Sequence, residues 1–152
     1  GSGDGGRGAA GKRPDARAGT MTLPLGVADS VTALPAEARG AVLVTGSHGG
    51  MIAAHYAISA GVRAAIFNDA GRGLDDAGVA GVVALEHAGM AAAAVAHTSA
   101  RIAVAADTLA RGVISFANAK AAALGVSPGM TCREAVGRLA AAPMPSAWPE
   151  RA

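Results

Sequence analysis

Ala41-Val-Leu-Val-Thr45 runs straight into Gly46-Ser47-His48-Gly49-Gly50, an apolar segment of strand length leading into a polar, glycine-bearing loop. Two further apolar runs enter polar loops, the first of these also glycine-bearing. Val62-Arg-Ala-Ala-Ile-Phe67 leads into Asn68-Asp69-Ala70-Gly71, and Met90-Ala-Ala-Ala-Ala-Val-Ala96 into His97-Thr98-Ser99. Short apolar runs bounded by such loops read as buried strands. Their spacing of about 20 to 28 residues suits βαβ crossovers, which make the strands parallel. The fold class expected is α/β, a small three-layer (αβα) domain with a parallel sheet of three to four strands and a helical C-terminal part. Ligands of open α/β sheets bind outside the carboxyl ends of the strands, so these three loops are where chemistry is expected.

The segments between and beyond the strands fill in the rest. Met51-Ile52, Tyr56 and Ile58 sit on a helix that stops at Gly61, a suitable glycine for a left-handed C-terminal cap. A second helix spans Val79 to Ala88 and ends at Gly89, after a loop from Asn68 to Gly78 that also holds Asp75 and Asp76. Further on the pattern reads as helical, over Ala103 to Arg111 and again over Val113 to Leu124. Thr131-Cys132-Arg133-Glu134 matches a capping box that starts a last helix. Ahead of the first unit, Met21 to Leu25 reads as a short strand or extended arm. Asp29 or Ser30 is placed to cap one helical turn before Pro35.

The 152 residues divide into a Gly/Arg-rich tail over 1–20, one α/β domain over 21–142, and a Pro-containing tail over 143–152. The first segment has no large apolar side chain and cannot offset its ordering entropy, so it reads as disordered. Without an apolar h-region it does not read as a secretory signal either. Arg7, Lys12, Arg13 and Arg17 against Asp4 and Asp15 account for the whole net charge of +2, which leaves the folded part formally neutral. A neutral domain with one Trp, one Tyr and two Phe lacks both the electrostatic footprint and the stacking surface of nucleic-acid binding. No apolar run approaches the length of a membrane span. The single Cys132 permits no intrachain disulfide, consistent with a reducing cytoplasm. A narrow sheet with open edges and Ala-rich helices would gain from association, so a homo-oligomer is expected.

Each strand-end loop has a chemical and a structural reading. In Ser47-His48-Gly49-Gly50 the glycines admit close approach of a ligand and the next helix offers free N–H groups; a plain tight βα turn would explain the glycines but not the histidine. The loop lacks the Gly-Lys-Ser/Thr ending of a phosphate-binding loop and the Gly-x-Gly-x-x-Gly of dinucleotide binding. Asn68-Asp69 sets a carboxylate at a strand end, where it serves as base, orients a histidine, or forms an Asx-turn. His97 is placed to pair with Asp69 or to face His48. Ser99 reads first as a helix cap, and Arg72 and Arg101 are the cations nearest this edge, able to hold a carboxylate or phosphate. His55 and His87 fall within helices and read as surface residues. Cys132, in a first helical turn, would be activated if exposed, but its neighbours mark a cap.

Two resemblances attach to these motifs. Val44-Thr-Gly-Ser-His-Gly-Gly50 with Phe67-Asn-Asp-Ala-Gly71 resembles a pattern in small bacterial α/β proteins of unassigned function, and implies no activity. Ser47-His48-Gly49 also resembles the His-bearing strand end of caspase-like peptidases. In those, however, the next strand end carries a nucleophilic Cys, and Gly71 stands there in this chain. That likeness implies only a histidine and a second polar group facing each other across neighbouring strand ends.

The reading that results is a small cofactor-independent enzyme acting on a small polar or anionic molecule. Ser47, His48, Asp69 and His97 are the catalytic candidates, with Gly49, Gly50, Asn68, Arg72, Ser99 and Arg101 around the substrate. Hydrolysis comes first because Ser47 beside His48 allows acyl transfer. Isomerisation or a lyase step needs only the His and Asp. A metal held by His48, Asp69 and His97 ranks third, since no ligand-spacing motif supports it. A non-catalytic ligand-binding or assembly subunit is the alternative of a different class.

Overall fold

The computed structural model describes residues 25–145 apart from 35, 74 and 75. The expected tail over 1–20, the arm over Met21 to Pro24, and residues 146–152 with Trp148 lie outside the described residues. Five strands form one sheet in sequential order: β1 (Leu25–Ala28), β2 (Val42–His48), β3 (Ala64–Asn68), β4 (Ala91–Val95) and β5 (Ile114–Ala117). The first four are parallel and β5 is antiparallel to β4. Helices α1 (Met51–Ala60), α2 (Ala80–His87), α3 (Ala105–Arg111), α4 (Ala119–Ala123) and α5 (Cys132–Leu139) complete the fold.

The alternation of side chains along each strand divides the core in two. Leu43, Ala65, Phe67, Ala92 and Ala94 face α1 and α2, meeting Ala54, Ala57, Val82 and Leu85. Val42, Val44, Ile66, Ala93 and Val95 face the opposite way, toward Ala121, Cys132, Ala135 and Leu139 of α4 and α5. β3 and β4 are buried along their whole length, as strands of a doubly covered parallel sheet are. This is the expected three-layer arrangement.

The helix expected over Val113 to Leu124 is instead a strand followed by a short helix. Ile114 pairs with Val95, and Phe116 with Ala94. Asn118 then starts α4 as its N-cap, accepting from the Ala121 N–H. The same buried amide accepts from the Ala92 N–H at 3.2 Å and donates to the carbonyls of Val82 and Met90, each at 3.0 Å. An N-cap asparagine and the β-branched and aromatic residues before it outweigh the alanines that suggest a helix. Other expectations hold. Gly61 closes α1 in the left-handed conformation, and Thr131 and Glu134 form the reciprocal capping box. Ser30 caps the single turn at Val31–Ala33, while Asp29 accepts from the Ala105 N–H at the start of α3.

Candidate active site at the carboxyl edge of the sheet

After β3 the chain turns toward the face that carries α1 and α2. After β4 it crosses the carboxyl edge, and Leu109 of α3 packs on the other face. Neighbouring strands whose connections leave to opposite faces open a crevice between them, where α/β proteins bind ligands. Asp69 and His97 follow β3 and β4 at this parting. The crossing segment is tied down along its path. Asn68 Nδ2 donates to the Ala100 carbonyl at 3.0 Å, and the Ala103 N–H donates to the Gly46 carbonyl at 2.6 Å. A Cβ on Gly46 would overlap the backbone of Ala103 and Val104, so glycine is required for that approach.

Asp69 joins three elements. Its Oδ1 accepts from the Gly71 N–H at 2.7 Å and the His97 N–H at 3.0 Å, and its Oδ2 accepts from the Ser115 hydroxyl on β5 at 2.6 Å. The His97 ring sits beside the same carboxylate, with Nδ1 3.5 Å from Oδ1. Burial by itself would raise the Asp69 carboxyl. The Ser115 hydroxyl, the Gly71 and His97 N–H groups and the charge of the His97 ring outweigh it and hold the carboxyl below its usual value. Asp69 is therefore an anion at neutral pH. Its side chain is 6 % exposed against 55 % for His97, so a fixed buried charge stands behind an accessible imidazole.

The end of β2 is built differently. The Gly50 N–H donates to His48 Nδ1 at 3.1 Å, which places the proton of the neutral ring on Nε2. The Gly49 N–H donates to the carbonyls of Asn68 and Gly78. These two N–H groups, expected to cradle a substrate, are thus occupied within the protein. Ser47 Oγ accepts from the Val31 N–H at 3.2 Å, and among the described residues no imidazole nitrogen is bonded to it. Ser47 and His48 nonetheless line a cavity of about 670 Å³, together with Met51, Ile52, Tyr56 and Ile102. Asp69 and His97 are not part of its lining. The register partner of His48 is Asn68 on β3 and that of Asn68 is Val95 on β4, so His48 and His97 stand two strands apart on the same edge. At ~4.8 Å per strand that is about 10 Å.

The remaining candidates have structural partners. Asn68 is buried, and its Oδ1 accepts from the Ala70 N–H at 2.8 Å. Ser99 does not cap the next helix; its hydroxyl donates to the Ala96 carbonyl and accepts from the Val113 N–H. Arg101 lies 3.6 Å from Asp107, which also faces Arg111. Arg72 lies 3.7 Å from Asp76 and stacks over the Phe116 ring. Cys132 is buried, and burial pushes its thiol up to about 12, only slightly offset by the charge of Arg133. Among the described residues no group of three or more His, Cys, Asp or Glu side chains is arranged to hold a metal ion, so His48, Asp69 and His97 do not converge as ligands.

Two features of the site were not read from the sequence. Ser115 was hidden by the helical reading of its segment; a polar residue between Ile114 and Phe116 in a β-branched and aromatic run is the signal that marks it. Ala70, Gly71, Arg72 and Gly73 all have positive φ, between 52° and 75°. Such a run is costly for non-glycine residues and clusters at functional sites. Among the described residues, no helix is long and apolar enough to cross a membrane. The chain matches no protein-family model, and no curated protein or solved structure matches it.

Proposed function

We propose that this protein is a small cofactor-independent acid–base enzyme in which His97, oriented by Asp69, moves a proton on a small molecule bound at the carboxyl edge. The observation that carries the reading is the buried Asp69 carboxylate beside Nδ1 of an exposed histidine. A carboxylate in that position fixes the ring's orientation and leaves Nε2 to meet a substrate. His48, about two strand spacings away, is the second proton donor or acceptor. Hydrolysis through a water activated by His97 is the first reaction this pair serves, and isomerisation or a lyase step the next. Ser47 as nucleophile is the weaker form of the hydrolase reading, because it has no imidazole bonded to it. Self-association and a cytoplasmic setting belong to the same reading; the exposed Leu25 and Val27 on edge strand β1 support the first.

A panel of small esters, lactones and enolisable carbonyl compounds, followed in D2O by proton NMR, tests the reading. Turnover or C–H exchange is expected, falling about 10²–10⁴-fold in His97→Ala and persisting in Ser47→Ala. Turnover indifferent to His97 overturns it. A folded protein that turns over nothing in the panel favours a ligand-binding subunit, a reading already supported by the occupied N–H groups of Gly49 and Gly50.

A further inference from the structure

The cavity beside His48 suggests which molecules the edge receives. It lies between the turn at Val31 and Thr32, the start of α1, and the loop at Ile102 and Ala103. At about 670 Å³ it is within the range of small-ligand pockets. Apolar side chains make most of its wall: Val31, Met51, Ile52 and Ile102 with the ring of Tyr56. Ser47, His48 and Thr32 supply polar groups. None of the described residues lining it is Asp, Glu, Lys or Arg.

The first turn of α1 borders the same space through Met51, Ile52 and Ala53, and its N-cap, Gly50, makes no side-chain capping bond. Helix starts leave N–H groups without intrahelical partners. That end favours an electron-rich oxygen, and magnitudes decide which kind. The partial charge of a helix start is worth about 0.3–1 kcal/mol to an anion, up to ~2 in partly buried geometry. Removing a carboxylate from water without a counter-cation costs several kcal/mol. A neutral carbonyl gains from the same N–H groups and loses far less on desolvation.

We propose that the cavity is a ligand pocket beside the Asp69–His97 pair, with His48 at its polar end, and that it takes an uncharged molecule with an apolar body and a carbonyl end, an ester, lactone or ketone, rather than a small anion. Binding there does not rest on the acid–base reading, because neither Asp69 nor His97 lines the cavity. The apolar body lies along Ile52, Tyr56 and Ile102, and the carbonyl oxygen meets Ser47, His48 and the start of α1. A second hollow of about 630 Å³ on the outer side of α1 shares Met51, Ile52 and Tyr56, so apolar surface continues past the rim. A second copy of the chain is the competing occupant.

The test uses the neutral fluorophore N-phenyl-1-naphthylamine with the full chain at neutral pH, followed by displacement with 2-octanone or octanoate. One fluorophore per chain is expected. 2-Octanone should displace it at concentrations at least about tenfold lower than octanoate, the ratio that corresponds to ~1.4 kcal/mol. Ile52→Glu changes a residue that is 72 % exposed, so the fold tolerates it, and should weaken fluorophore and ketone binding about tenfold. Octanoate competing as well as the ketone overturns the uncharged class. Absence of saturable binding by the folded protein overturns the pocket. So does a dimer by sedimentation that becomes monomeric in Ile52→Glu and binds fluorophore only then. His97→Ala should bind the fluorophore like the wild type. Ketone-selective binding with turnover indifferent to His97 would therefore sink the acid–base reading and leave the pocket standing. The reverse pattern would do the opposite.

Discussion

Two buried polar side chains hold the two ends of β4, and they are finished differently. Near the amino end, the Asn118 amide makes hydrogen bonds with Ala92, Ala121, Val82 and Met90, filling both donor and acceptor sites. At the carboxyl end, Asp69 also binds neighbouring elements, but it is charged and its network reaches solvent through His97. A closed, neutral network fixes a fold and offers a reactant nothing. An open, charged network fixes the fold and also hands a proton-carrying ring to the surface. Burial and bond number are similar at the two sites, so neither separates structure from chemistry; whether the network ends inside the protein does.

The largest effect should come from closing off nothing and removing the most. Asn118→Ala leaves the Met90 carbonyl and the Ala92 N–H without their side-chain partner and strips the cap of α4. At ~1–3 kcal/mol for each unsatisfied buried group, the loss is about 3–5 kcal/mol, to be read from denaturant midpoints. A change below about 1 kcal/mol would mean that water replaces the amide, and the contrast with Asp69 would fail.

Asp69→Asn should cost about 1.5–3 kcal/mol at neutral pH, the range for hydrogen bonds to a charged group, and should also change the shape of the pH profile. Because the folded carboxyl lies below its ordinary value, its contribution is fully present above ~3.9 and is lost as pH falls through the lower folded value. Wild-type stability should therefore drop on acidification below about pH 4 more steeply than that of Asp69→Asn. Parallel curves would show that the charge contributes nothing to the fold.

His97→Ala separates the two roles of the open network. Its side chain is half exposed, so stability should change by no more than about 0.5 kcal/mol. A large loss of stability would make His97 another closed structural group, like Asn118, and remove the basis for chemistry at this edge. The smallest effect concerns Cys132. With a thiol pushed up to about 12 and no exposure, it should react with a disulfide reagent at neutral pH only after denaturation. Prompt labelling of the native protein would place α5 outside the core.

The layered fold was legible because β2, β3 and β4 begin as apolar runs that end in polar loops, a pattern set by local residues. β5 was not, because an alanine run hides the point where strand becomes helix, and only the multiple bonds of Asn118, made to residues far along the chain, fix it. The strand-end positions of His48, Asp69 and His97 were legible for the same reason as the strands. Their partnering was not. Asp69 and His97 meet across adjacent strands with Ser115 from β5, while His48 bonds its own loop, and nothing in residue spacing distinguishes those outcomes. The apolar wall beside His48 also escaped the sequence, since Val31, Ile52 and Ile102 come from three separate segments.

The glycines around the strand ends carry a lesson for how such a chain diverges. A Cβ on Gly81 would overlap the Gly50 carbonyl as one on Gly46 would overlap Ala103. These positions are held by steric exclusion whatever the protein does. His48, between them, is held by no such constraint: its exposed ring only bonds a neighbouring N–H. Over evolutionary time the glycines should stay fixed in every descendant that keeps the fold, active or not. The histidine should drift wherever activity is lost. Its persistence across distant relatives would thus record selection on chemistry, and that of the glycines only the survival of the fold.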